Sequence, residues 1–176
     1  MRKFMKVSVM VLVAMFTFSI VADAQEVRMT SYGDEEFALQ YPAEWEPKDA
    51  FSADFIAEGK DGVSKVEVLL KYEALDAAAL KTWVTERKEL MTALELKSDE
   101  AVTKENITTI RSVGDKEIWD KAKGTYVKLK AVCISFAMVS NGKTLTGNIW
   151  YQQKDDAKMK HVVEKILASL KVQSEG

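Results

Sequence analysis

The segment from Tyr126 to Val139 places the strongest constraint on the fold. It alternates like a β-strand, and its second half is apolar on both faces, with Val132, Ile134, Phe136 and Met138 on one side and Cys133, Ala137 and Val139 on the other. A strand buried on both faces needs a layer of structure above and below its sheet. The sequence therefore predicts a central strand inside a layered fold.

The chain turns back directly after this strand. Asn141-Gly142 suits the two central positions of a type I′ hairpin, where both residues need positive φ. The segment Lys143 to Gln152 is therefore predicted to return antiparallel to the central strand.

Shorter patterns predict the remaining strands. The charged stretch GDKEIWDKAKG, which begins at Gly114, is predicted to connect two strands as a loop. "EGKDG", with two glycines, predicts a hairpin turn between the third and fourth strands. The predicted strands are Val27 to Tyr32, Phe37 to Tyr41, Phe51 to Glu58, Val63 to Tyr72 and Val102 to Val113.

Two amphipathic helices complete the pattern. Asp76 is predicted to cap a helix that runs to about Leu96, and the stretch DDAKMKHVVEKILASLKV, from Asp155 to Val172, is predicted to close the chain as a second helix. Both carry apolar residues at helical spacing: Leu80, Trp83, Val84, Leu90, Met91 and Leu94 in the first, and Met159, Val162, Val163, Ile166, Leu167 and Leu170 in the second. Strands in runs with helices between them indicate an α+β fold, here an α/β/α sandwich around a mainly antiparallel sheet.

In the stretch FALQYPAEWEP, residues 37 to 47, a predicted strand ends at Pro42 and a large aromatic residue, Trp45, follows. Pro42 has no N–H and cannot continue the hydrogen-bond ladder of a sheet. Trp45 follows within reach of the sheet end. We therefore expect Trp45 to be buried near Tyr41 and Pro42, and not to contact a ligand.

These features together resemble the Mog1/PsbP-like superfamily, including its exported bacterial relatives of the DcrB and LpqN type. The resemblance rests on the strand FALQYP followed by AEW, the order of strands and helices, the Asn-Gly hairpin and the final helix ending in ILASLKV. It implies an α/β/α sandwich over about Val27 to Val172, and binding or assembly roles more often than catalysis. Residues 25–176 are accordingly expected to form a single PsbP-like domain.

The first 24 residues have the pattern of a secretory signal peptide. Arg2, Lys3 and Lys6 precede the apolar run Val7 to Val21, and small residues at Ala22 and Ala24 suit cleavage after Ala24. The run is shorter than the ~20 residues that span a bilayer; the alternative is an uncleaved membrane anchor. We expect export to the periplasm or the extracellular space, with no stable membrane insertion after cleavage.

The charge pattern does not suggest a nucleic-acid-binding protein. The net charge is −2 at pH 7, with acidic and basic residues mixed along the chain, whereas a nucleic-acid binder carries a basic stripe. The expected partner is instead an envelope protein or a small ligand.

The sequence indicates no catalytic, cofactor-binding or metal-binding residue, and no cofactor. His161 is the only histidine, predicted on the polar side of the last helix, and Cys133 is the only cysteine, predicted in the core. Nucleophilic triads and zinc sites need more such side chains. The predicted function is therefore an exported, non-catalytic binding or assembly accessory protein of the cell envelope. The alternative is a small exported hydrolase that uses paired carboxylates, marked by two buried acids with raised pKa.

Two residues are candidates for partner contact. Arg87 lies on the apolar face of the first helix, either as a site for an anionic ligand or partner, or as a side chain whose stem covers apolar surface or forms an ion pair. Trp119 lies in polar sequence and is a candidate contact residue; the alternative, which we expect, is that Ile118 or Trp119 packs a loop against the sheet.

Overall fold

The computed structural model describes residues 26–49, 51–120 and 123–174. The expected signal peptide lies outside them. The described part contains eleven strands, two α-helices and one short 3₁₀ turn. In chain order the elements are β1 (Met29–Gly33), β2 (Phe37–Pro42), β3 (Glu46–Lys48), β4 (Phe55–Glu58), β5 (Lys65–Lys71), α1 (Ala77–Ala93), β6 (Leu96–Ser98), β7 (Val102–Lys104), β8 (Ile107–Asp120), β9 (Thr125–Ser140), β10 (Lys143–Gln152), the 3₁₀ turn (Gln153–Asp155), α2 (Asp156–Ser169) and β11 (Lys171–Val172).

The described strands form one large and one small antiparallel sheet. The large sheet has eight strands in the order β3-β4-β5-β10-β9-β8-β6, with β7 also paired to β8. The small sheet has the order β1-β2-β11. The predicted central strand is β9, flanked by β8 and β10, and it is buried without interruption from Ala131 to Met138.

The two faces of the large sheet are covered by different layers. On one face, alternate residues of β5, β9 and β10 share a single apolar cluster with α2 and the small sheet, and Phe37, Phe136, Ile149 and Ile166 are all fully buried in it. On the other face α1 covers the sheet, and Trp83 packs with Ile110 and Ala137. The α+β fold and the α/β/α sandwich are thus confirmed.

The turn after β9 has the predicted geometry. Asn141 has φ +51° and Gly142 φ +74°, and Ser140 pairs with Lys143 across the turn. Gly147 on β10 is required for another reason, because a Cβ there would lie 2.1 Å from the carbonyl oxygen of Glu67. The two strands therefore approach more closely than a side chain would allow.

Trp45 is buried, as predicted, with 5% of its surface exposed. Its backbone N–H donates to the carbonyl of Pro42 at 2.9 Å, so the chain folds back immediately after β2. The indole lies against Gly59, where a Cβ would come within 3.1 Å of Nε1. Trp45 is thereby part of the main apolar cluster, to which both sheets contribute.

Helix α1 differs from the prediction at its end and on its apolar face. Asp76 caps it as expected, its Oδ1 accepting from the N–H of Ala79 at 2.8 Å. The helix ends at Ala93, however, and Leu90 and Leu94 are 46% and 47% exposed. The helix is rotated so that Trp83 and Met91 are its buried residues. Leu90 therefore lies at the edge of the buried face, and Leu94 lies beyond the last turn of the helix.

Two predictions between residues 102 and 124 are wrong. Val102 to Val113 is not one strand, because Glu105 adopts φ +54° and turns β7 back onto β8. The expected loop after Gly114 is instead the second half of β8, paired with β9 as far as Asp120 and Thr125. Its charges did not prevent strand formation because they pair across the strands, with Asp115 opposite Lys130 and Glu117 opposite Lys128.

Candidate functional site

The distal halves of β8 and β9 form a two-stranded β-ribbon. Strand β10 pairs with β9 only from Ala131 onward, and β6 pairs with β8 only from Ser112 to Gly114. From Asp115 to Asp120 and from Thr125 to Lys130, β8 and β9 therefore pair with each other and with no other described strand. At about 3.3 Å per residue the ribbon extends the sheet by roughly 20 Å.

One face of the ribbon is anchored and the other is open. Ile118 and Leu129 pack against the cluster that contains Val63. Trp119 and Tyr126 lie on the opposite face, with 52% and 67% of their surfaces exposed. Of the two residues considered for a packing role, Ile118 therefore packs, whereas Trp119 does not.

Trp119 and Tyr126 are direct cross-strand neighbours. Their ring centroids are 5.1 Å apart and the rings meet edge to face at 71°. Two ion pairs follow on the same face, Lys128–Glu117 at 3.8 Å and Lys130–Asp115 at 2.9 Å. The ribbon thus presents an aromatic pair beside polar, solvent-exposed side chains.

A groove of about 910 Å³ borders the anchored face of the ribbon, where Ile118, Val127 and Leu129 line it together with Trp119 and charges of both signs. Its cations include Lys48, Lys60 and Lys128, and its acids include Glu58 and Asp61. Apolar contact surface next to a polar, mixed-charge rim is the usual composition of a protein–protein interface. We call the exposed Trp119–Tyr126 pair, with the two ion pairs beside it on the same face, the ribbon surface.

Tyr126 is a residue of this surface that sequence reasoning missed. The sequence signal was Gly124, because glycine favours turns. In the structure it has φ +63° and lies in the turn region between the two strands of the ribbon. A hairpin placed there would have brought Tyr126 close to Trp119.

Arg87, the second candidate, lies at the interface between α1 and the sheet. It is one turn from Trp83 and one turn from Met91, the two buried residues of the helix. Its guanidinium carbon is 5.7 Å from the centre of the Trp83 ring. An ion pair, one of the two structural alternatives for Arg87, is not found among the described residues; Arg87 borders a cleft of about 200 Å³ between α1, β5 and β10.

The side chains most often used in catalysis are not gathered at either place. His161 is exposed on α2, with Nδ1 3.9 Å from Glu164. Cys133 is fully buried, and this burial raises the pKa of its thiol to about 12. Among the described residues, no group of three or more His, Cys, Asp or Glu side chains is arranged to hold a metal ion.

Where a described carboxyl group has a shifted pKa, the pKa is lowered. This holds for Glu26, Asp34, Glu46, Asp61 and Glu100. For Asp61, burial is the largest single influence and would raise the pKa, but hydrogen bonds from Ser64, Val63 and Gln152 together outweigh it. A general acid of a carboxylate hydrolase needs the opposite shift.

Comparison with solved structures identifies the fold. No protein-family model matches the sequence, and no curated protein matches it either. The Ran-binding protein Mog1p of Saccharomyces cerevisiae superposes with a TM-score of 0.54 at 11% identity, covering 84% of this chain and 97% of Mog1p. Cyanobacterial PsbP (CyanoP) from Synechocystis superposes with a TM-score of 0.52 at 14% identity, covering 83% and 93%. The chain has the Mog1/PsbP-like fold.

A third solved structure gives a lower TM-score. LpqN of Mycobacterium tuberculosis, involved in cell envelope biogenesis, superposes with a TM-score of 0.47 at 12% identity over 87% of this chain and 96% of LpqN. The fold assignment rests on the two matches above 0.5. At these identities the similarity to Mog1p and CyanoP shows a shared fold and does not extend to individual site residues.

No helix in the described ranges is both long and apolar enough to cross a membrane.

Proposed function

We propose that this protein is an exported, non-catalytic binding or assembly protein of the cell envelope, and that the ribbon surface contacts its partner. The observation that carries the proposal is the exposed Trp119–Tyr126 pair on a ribbon held in place from behind. Tryptophan and tyrosine dominate the energetics of many protein interfaces, because they bury large areas from few rotatable bonds.

The anchoring of the ribbon supports a role in binding. Ile118 and Leu129 hold its rear face against the core, so the aromatic pair is positioned before a partner arrives. A preorganised contact surface loses less conformational entropy on binding than a flexible one. Mog1p, which shares the fold, is itself a Ran-binding protein, so the fold is compatible with protein recognition.

The sequence of residues 1–24 supports export. Its basic start, apolar run and small residues at Ala22 and Ala24 are those of a cleavable signal peptide. Intact-mass measurement of the protein from its native host tests this part of the proposal. A mass that begins at Gln25 supports export, and a mass that retains residues 1–24 contradicts cleavage.

Crosslinking capture from the cell envelope tests the contact surface. The wild-type protein is compared with the double variant Trp119→Ala/Tyr126→Ala and with Phe51→Ala, which removes an exposed aromatic side chain outside the ribbon. We expect the double variant to lose a captured protein that wild type and Phe51→Ala both retain. Equal capture by all three proteins would contradict the role of the ribbon surface.

A further inference from the structure

The core beneath α1 is divided by a polar layer. At one end, Met91 packs with Leu96 and Trp150. At the other end, Trp83 packs with Ile110 and Ala137. These are separate apolar clusters, and Arg87 lies on the helix between Trp83 and Met91. A helix that served only to cover the sheet would be expected to continue its apolar stripe through this position.

The sheet is also polar opposite this layer. On β9, Ser135 is fully buried, and its hydroxyl donates to Oδ1 of Asn148 on β10 at 2.9 Å. The thiol of Cys133 lies 3.8 Å from the same oxygen. With Oδ1 occupied from within the sheet, the amide nitrogen of Asn148 keeps two N–H donors that bond to none of the described residues.

Arg87 has unused donors as well. Its guanidinium lies over the Trp83 ring and forms no ion pair or hydrogen bond with the residues described here. The indole N–H of Trp83 is buried and likewise has no acceptor among them. Buried donors in native proteins are normally satisfied, yet the described chain supplies no acceptor for the indole of Trp83 or, one turn later on α1, for the guanidinium of Arg87.

Arg87 and Asn148 line the same cleft, of about 200 Å³. Glu67 also lines it, but its carboxylate is paired with Lys65 on the same strand. Although Glu67 is the cross-strand neighbour of Asn148, Lys65 offsets its charge, whereas the guanidinium of Arg87 has no ion-pair partner among the described residues. The cleft shares no lining residue with the groove beside the ribbon.

We infer that this cleft binds a small carboxylate, held by the guanidinium of Arg87 and the amide N–H groups of Asn148. A guanidinium presents N–H donors in a planar fork that matches the two oxygens of a carboxylate. A cleft of this volume admits a short aliphatic acid rather than a drug-sized ligand, since the latter fill pockets of about 300 to 1,000 Å³. This site is additional to the ribbon surface and does not depend on it.

Titration of the 15N-labelled protein with propionate, followed by NMR at constant ionic strength, tests the inference. We expect saturating shift changes centred on the amides of Gly147 and Asn148. Arg87→Gln, which keeps most of the stem on Trp83 but removes the charge, is expected to weaken binding at least tenfold. Lys81→Gln removes one positive charge from an exposed position on the same helix and is expected to leave binding unchanged.

A second variant covers the case in which Arg87→Gln fails to fold. Asn148→Asp keeps the size of the side chain and the acceptor for Ser135, but places a negative charge where the ligand carboxylate would lie. It is expected to weaken propionate binding at least tenfold. Shifts that do not saturate, or equal affinity in wild type and Asn148→Asp, would overturn the site. Binding of inorganic phosphate as tight as that of propionate would overturn the assignment to carboxylates.

Discussion

Trp119 faces Tyr126 directly across the β-ribbon, with ring centroids 5.1 Å apart and more than half of each side chain exposed. Edge-to-face contact is a favourable arrangement for two aromatic rings. The pair is nevertheless on the open face, while the buried contacts of the ribbon are made by Ile118 and Leu129. The exposed pair is therefore not part of the buried contacts that hold the ribbon against the core.

The double variant Trp119→Ala/Tyr126→Ala is expected to remain nearly as stable as wild type. An exposed cross-strand pair contributes only about 0.2–1 kcal/mol. Urea denaturation monitored by circular dichroism measures the change in the free energy of unfolding. A loss of several kcal/mol would show that the pair is part of the structural core.

Trp45→Ala is expected to cost about 3–5 kcal/mol, as truncation of a buried aromatic side chain usually does. Trp45 is 5% exposed and belongs to the main apolar cluster. Trp119→Ala is the matched control, since it makes the same substitution at an exposed position. A urea midpoint for Trp45→Ala equal to that of wild type would contradict the structural role of Trp45.

Most of the architecture could be predicted because the core residues recur at the spacing typical of strands and helices. Three local patterns each predict one kind of structure: the doubly apolar half of β9, the Asn141-Gly142 turn and the apolar stripe of α2. The turn at Glu105 could not be predicted in this way, because a glutamate at positive φ carries no sequence signal. Tertiary pairing, rather than local preference, sets it.

Cys133 is expected not to react with thiol reagents in the native protein at pH 8. Its side chain is fully buried, and burial raises the pKa of the thiol to about 12, so almost no thiolate is present. Mass spectrometry after iodoacetamide treatment measures the labelling. We expect labelling only when denaturant is added; rapid labelling without denaturant would contradict the burial.

Asp61 is expected to make stability depend on pH. Its Oδ1 accepts from the N–H groups of Val63 at 3.0 Å and Ser64 at 2.7 Å, and its pKa is lowered in the folded state. A lowered pKa contributes stability above the ordinary value near 4, and this contribution is lost as the pH falls through the folded pKa.

Asp61→Asn should therefore lower the free energy of unfolding by about 1 kcal/mol at pH 7, and its difference from wild type should be smaller at pH 3. Urea denaturation at the two pH values measures both quantities. Asp49→Asn, at another exposed acidic position, is the control and should follow wild type. A constant difference between Asp61→Asn and wild type at both pH values would exclude the ionised carboxylate as the cause.

The candidate sites were predictable only in part. Trp119 and Arg87 can be recognised in the sequence because Trp119 is an aromatic residue in a polar stretch and Arg87 is a charged residue on an apolar helix face. Their neighbours do not: Tyr126 joins Trp119 through strand register, and Asn148 joins Arg87 across the interface between α1 and β10. Local patterns identify single residues, whereas a site is formed by contacts between distant segments.

The most direct test of the ribbon surface is the dissociation constant of the partner captured by wild type, measured again with the double variant Trp119→Ala/Tyr126→Ala. Interface hot spots contribute about 2 kcal/mol or more, so we predict a dissociation constant at least about thirtyfold higher for the double variant, with Phe51→Ala equal to wild type. A dissociation constant unchanged in the folded double variant would contradict the account.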